Sequence, residues 1–128
     1  MTIIEVMIAL AVLLVTLAAT TASQLSSRAL TETAAETSTA MSDLQACMEQ
    51  LMLSNLDQLA IPGSVFEDGQ PVAAFNGLHL TNEVIVANYP TYGGGANVPD
   101  PLEIVLTCTW RDHRGGTRQL QLATMKTR

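Results

Sequence analysis

The chain has 128 residues and a net charge of −6, enough for one small domain. Only six Lys and Arg residues are present, and this acidic balance gives no footing for nucleic-acid binding. The charge is uneven: residues 32–103 are strongly acidic, whereas Arg111, Arg114, Arg118, Lys126 and Arg128 stand against Asp112 alone. Such an asymmetry either orients neighbouring copies or simply solvates the surface.

From Met1 to about Leu59 there is no Gly and no Pro; the first of each are Gly63 and Pro62. An unbroken helix over that stretch would run roughly 85–90 Å at 1.5 Å per residue. Glu5 is the only charge before Arg28, and Val6–Ala19 contains one polar residue, Thr16. About 20 uncharged, mostly apolar residues suffice to cross a bilayer, and lipid demands a helix there. Residues 1–27 are therefore read as a hydrophobic transmembrane helix. Thr20, Thr21, Ser23, Gln24, Ser26 and Ser27 are polar but uncharged. They suit a segment leaving the membrane or packed on other helices.

No Lys or Arg precedes the span, yet Arg28 follows it, which alone would place the N-terminus outside. Removal of a short basic leader, leaving Met1 as a processed N-terminus, reconciles this; otherwise Met1 is the initiator. Glu5 lies one turn inside the apolar helix, where a carboxylate is costly and normally has a partner. The available partner is a free α-amino group. Met1 of a second copy, shifted along the axis, can supply it and so select a defined stagger. The plainer alternative is that Glu5 snorkels to the headgroups.

The run Thr2-Ile3-Ile4-Glu5-Val6-Met7-Ile8-Ala9-Leu10-Ala11-Val12 resembles the N-terminus of mature type IV pilins and type II secretion pseudopilins. About 25 residues carry the likeness. It implies cleavage by a prepilin peptidase before Met1, N-methylation of Met1 and assembly into a helical filament. The family's motif glutamate maps onto Glu5 and its first-residue amine onto Met1. Implied partners are other copies or related pilin subunits, the inner membrane before assembly, and the assembly machinery. Two departures stand out. Met1 replaces the Phe of most major pilins, as is commoner in pseudopilins and minor subunits. Leu14 and Ala22 stand where many major pilins place the Gly and Pro that let the helix melt.

Residues 28–128 read as a pilin-like globular domain, with the helix continuing over 28–60 and loops and sheet over 61–128. Leu30, Ala34, Thr37, Met41, Leu44, Met48 and Leu51 form one stripe, with Cys47 beside it. Met52, Leu56 and Leu59 broaden it. Glu32, Glu36, Asp43, Glu49 and Asp57 mostly fall elsewhere. Ile61-Pro62-Gly63 ends the helix. Residues 61–77 follow as loop, with a turn at Glu67–Pro71. Apolar alternation resumes around Leu78-His79-Leu80 and Glu83–Ala87, with Val84 and Val86 sharing a face. Tyr89–Gly95 and Asn97–Pro101 are loop. The clearest strand is Leu102–Arg111, with Ile104, Leu106, Cys108 and Trp110 on one face. His113–Gly116 supplies a turn, and Thr117–Met125 returns with Leu120 and Leu122 together, a β-hairpin. This C-terminal pattern is similar to small, long-helix minor pilins and minor pseudopilins. The expected fold class is α+β: a long N-terminal helix packed on a small antiparallel sheet.

Cys47 and Cys108 both point at the expected helix–sheet interface. They are a candidate disulfide closing a loop of about 60 residues and contributing about 3–4 kcal/mol; the alternative is two buried thiols. Trp110 is expected to fill the core. His79 and His113 have no nucleophile and orienting acid at a recognisable spacing, so no enzyme is expected. Asp112-His113 sits in a hairpin, where charge is normally solvated. Asp100 and Glu103 near Gly93–Gly95 offer oxygen ligands but no calcium-loop pattern, and no metal or cofactor is expected.

Three functions are compatible with these features. One is a structural subunit of a pilus-like filament. A second is a minor pilin or minor pseudopilin that primes or tips a pilus or secretion pseudopilus. The third is a bitopic membrane-anchored binding protein that does not polymerise.

Overall fold

A computed structural model describes residues 2–95 and 97–128. The absence of Gly and Pro yields one helix, α1, over Ile3–Leu53. It ends six to seven residues before the expected boundary. The cause is Ser54-Asn55: both side chains bond the local backbone and compete with helix propagation. Ser54 Oγ donates back to the Gln50 carbonyl at 2.9 Å. Asn55 Oδ1 accepts from the Asp57 amide at 3.3 Å and caps a short 3-10 turn, Leu56–Gln58.

The chain divides into two compact units, Met1–Ala34 and Ala35–Arg128. In the first, every described residue through Arg28 is exposed. The hydroxyls of Thr16, Thr20 and Thr21 donate to carbonyls one turn back, at 2.8–3.1 Å. These three threonine hydroxyls thus satisfy themselves within the helix, as an apolar medium requires.

The second unit is built on an antiparallel sheet ordered β1-β2-β3, from Val84–Asn88, Leu102–Arg111 and Thr117–Lys126. Thus the α+β architecture holds. β2 alternates strictly, and Leu102, Ile104, Leu106, Cys108 and Trp110 are buried. In β1 the inward residues are Ile85 and Ala87, while Val84 and Val86 share the opposite, partly open face. Leu120 and Leu122 pair with Cys108 and Leu106 and pack at the core's margin. Leu78-His79-Leu80 is a bend rather than a strand.

The free edge of β1 is covered. Gly69, Val72 and Gly77 donate their amides to the carbonyls of Ala87, Ile85 and Glu83 at 2.8 Å, and Pro71 bridges Val86. Pro tolerates such an edge because its missing donor is not needed.

The buried helical stripe is Ala40, Asp43, Leu44, Cys47, Met48 and Leu51, spaced as one face of an α-helix. This corrects the N-terminal part of the expected stripe, while Leu44, Met48 and Leu51 are buried as expected. Leu30 is 72% exposed and Met41 is 36% exposed, so neither belongs to the core. Asp43, expected off the stripe, is on it.

Candidate functional site

At the start of α1, Glu5 Oε2 accepts the backbone N–H of Thr2 at 2.8 Å. The Thr2 carbonyl in turn accepts the amide of Glu5 at 3.1 Å. With the helix starting at Ile3, Thr2 is the N-cap and Glu5 the third helical residue. This is the carboxylate half of a capping box, and the negative charge also suits the positive end of the helix dipole. Thr2-x-x-Glu5 is legible as a capping motif in the sequence, and it gives Glu5 a partner within its own helix. The carboxylate has a local partner and is still exposed, so it can exchange that partner for a stronger one. Met1, expected to supply that amine, lies outside the described residues.

In the second unit, Cys47 and Cys108 are both fully buried and both are free thiols, so the candidate disulfide is not formed. Cys108 Sγ donates to Glu83 Oε1 at 3.7 Å. The other oxygen of Glu83 accepts the amides of His79 and Leu80 at 3.1 and 3.2 Å. Glu83 is only 1% exposed, and those three donors compensate its burial. Burial pushes the Cys47 thiol up to about 11. Burial, with the Glu83 carboxylate beside it, pushes Cys108 up to about 12. Low-pKa, reactive cysteines need the opposite surroundings.

Asp43, also buried, meets His79 Nδ1 at 2.9 Å. Glu36 accepts from Trp110 Nε1 at 3.4 Å and from the His113 amide at 3.2 Å. Both histidines thus bridge the sheet side to helix carboxylates. No sequence signal marked these pairs, because each joins residues far apart in the chain. Asp100 and Glu103 make no metal cluster; among the described residues, no group of three His, Cys, Asp or Glu side chains converges as one.

The span is a single helix long and apolar enough to cross a membrane by length and composition. What the two units define is an exposed apolar helix continuous in sequence with a small α+β domain. No family model matches the chain, and no curated protein or solved structure is similar to it.

Proposed function

We propose that this chain is a structural subunit of a type IV pilus-like filament, assembled through its N-terminal helix. The observation that carries the reading is Glu5, a lone carboxylate near the start of an exposed helix that has no other charge before Arg28. Before assembly the helix holds the subunit in the inner membrane with its domain in the periplasm. On assembly the helices pack together, and Glu5 trades the Thr2 amide for the Met1 amine of a neighbour, which sets the register. Lipid and filament core are both apolar, so an assembly motor must drive the transfer.

The unbroken course of α1 favours a more specific role within that class, a minor pilin or minor pseudopilin that primes or tips a filament. Electron microscopy of sheared surface material, with mass spectrometry of this chain, separates the roles. Abundant filaments made mainly of it, with methylated Met1, identify a major subunit; traces in filaments of another subunit identify a priming one.

Glu5→Ala tests the class itself. Filament incorporation is expected to collapse while membrane insertion persists. Unchanged incorporation would remove Glu5 from setting the register, whereas an unprocessed chain in membranes without filaments leaves the bitopic anchor as the function.

A further inference from the structure

The two edges of the sheet differ. The β1 edge is covered by residues 69–77, whose amides bond to Ala87, Ile85 and Glu83. Those bonds also fix which way each strand residue faces. Ile85 and Ala87 turn their backbone groups away from β2, so Val84, Val86 and Asn88 exchange bonds with Thr109, Thr107 and Val105. The Arg111 amide, which donates to Thr81, continues that alternation. Ile104, Leu106 and Cys108 therefore turn to β3, where they pair with Thr124, Leu122 and Leu120. This leaves Gln119, Gln121, Ala123 and Met125 with their N–H and C=O groups pointing off the sheet. Among the described residues, none of these groups has a backbone partner.

Proteins normally guard such an edge with charge, Pro, a bulge or a short strand. β3 has none of these guards. It pairs with β2 without a bulge from Thr117 to Lys126, and residues 119–125 contain no charge, Gly or Pro. Arg118 and Lys126 are held by Asp112 and by the carbonyls at the end of α1. Beside this edge, between α1 and β3, lies an open groove of about 680 Å³. Met48, Met52, Leu53 and Leu122 line it, and Met52 and Leu53 are 43% and 88% exposed. Leu122 is on the core face of β3, so core-facing side chains of a strand added at the edge would reach this groove.

We propose that the β3 edge takes up an extended segment of a different protein as an added strand, apolar where it faces the groove and acidic at its ends. Backbone pairing supplies affinity, and the groove selects alternate side chains. Charge decides the occupant. Glu49 is the only charged residue lining the groove, and it bars acids from the middle of the segment. The ends of β3 are basic. At one, Arg111, Arg114 and Arg118 stand against Asp112 and against Glu36, which His113 occupies. At the other, Lys126 and Arg128 stand against Asp57. A second copy of β3 is the wrong partner. Antiparallel pairing would set the Arg-bearing turn of each copy against Lys126 and Arg128 of the other, and parallel pairing would set like residues side by side. The proposal rests on the sheet alone and does not depend on how the N-terminal helix is used.

The test is amide hydrogen exchange by NMR on the detergent-solubilised full-length chain. The probe is a synthetic peptide of alternating Val and Thr with Asp at both ends. In the free chain, Leu120, Leu122 and Thr124 are expected to be protected and Gln119, Gln121, Ala123 and Met125 to exchange fast. The peptide is expected to protect the second set. A peptide with Lys in place of Asp is expected to bind about tenfold more weakly. Gln121→Pro, which removes an outward N–H that the β2 pairing does not use, is expected to abolish binding while Leu120 and Leu122 stay protected. A peptide with alternate amides N-methylated makes the same test on the unaltered chain and is expected not to bind.

No protection of the outward amides, or protection that N-methylation of the peptide leaves intact, overturns strand addition. Equal binding of the Asp-ended and Lys-ended peptides overturns the acidic partner. Protection of the outward amides that appears without peptide and grows with protein concentration assigns the edge to a second copy and overturns the proposal.

Discussion

The ammonium of Lys126 donates to the carbonyl oxygen of Met52 across 2.6 Å, joining the end of β3 to the end of α1. The same nitrogen also meets the carbonyls of Leu51, at 3.2 Å, and Ser54. The last carbonyls of a helix have no intrahelical donor, and α1 carries no basic residue in its own last turn. Lys126 answers them from another element, and burial lowers its pKa. Lys126→Met keeps most of the stem but removes the donor. It is expected to cost about 1–2 kcal/mol, the upper range for a cation at a helix C-terminus. Urea unfolding of the detergent-solubilised chain measures this, and an unchanged midpoint would refute the capping role.

Glu83 supports the bend before β1 through its bonds to His79 and Leu80. Glu83→Ala orphans two amides and one thiol, with an expected loss of about 2–4 kcal/mol. Glu83→Gln keeps the shape and one carbonyl acceptor, so its loss is expected to be smaller. Equal losses in the two variants would mean that side-chain volume, not acceptor chemistry, matters there.

The thiols give a pH prediction. Their folded-state pKa values, about 11 and about 12, lie above the ordinary 9.0. The unfolded chain therefore releases these protons first as pH rises. Their contribution to stability is complete below about pH 9 and is lost toward pH 11–12. Iodoacetamide at pH 8 is expected to leave the folded chain unlabelled and to label both cysteines in urea. Rapid labelling of the folded chain would contradict the burial of these groups.

Asp112 organises the β2–β3 turn rather than being merely solvated. Its Oδ1 accepts the amides of Gly116 and Arg114 at 2.8 and 2.9 Å, and its Oδ2 accepts from Arg118 at 3.1 Å. Gly115 has φ 82°, the left-handed region that glycine enters freely. The amide of Gly116, then the Arg118 guanidinium, hold the Asp112 carboxyl below its ordinary 3.8. The turn's stabilisation by this carboxylate is therefore full above pH 3.8 and lost as pH falls through the lower folded value. The Gly116 amide resonance is expected to titrate with a midpoint below 3.8. A midpoint at or above 3.8 would remove Asp112 from this role.

Periodicity made much of this fold legible. The strict alternation of Leu102–Arg111 gave that strand its bounds, and Leu120 with Leu122 gave its partner. Missing breakers gave the helix. What stayed hidden were features set by distant partners. Asp43 looked like a solvent charge because His79 lies 36 residues away. Leu30 looked like core because its spacing was right, yet the buried stripe begins only at Ala40. Ile85 and Ala87, rather than the bulkier Val84 and Val86 pair, faced inward because pairing with Cys108 and Leu106 fixed the pleat. At Glu5, the rarity of a charge in an apolar run drew attention past its spacing from Thr2.

The core joins Ala40–Leu51 to Leu102–Trp110, so its two halves are far apart in the order of synthesis. Between the emergence of Leu51 and that of Leu102 come 102 minus 51, or 51, residues. At ~5–20 residues per second this leaves the helical stripe without its sheet for about 3–10 s. During that interval the nascent chain presents two adjoining sticky segments, the span and the stripe. Insertion into a bilayer can shelter the first, but the second must wait for its own downstream strands.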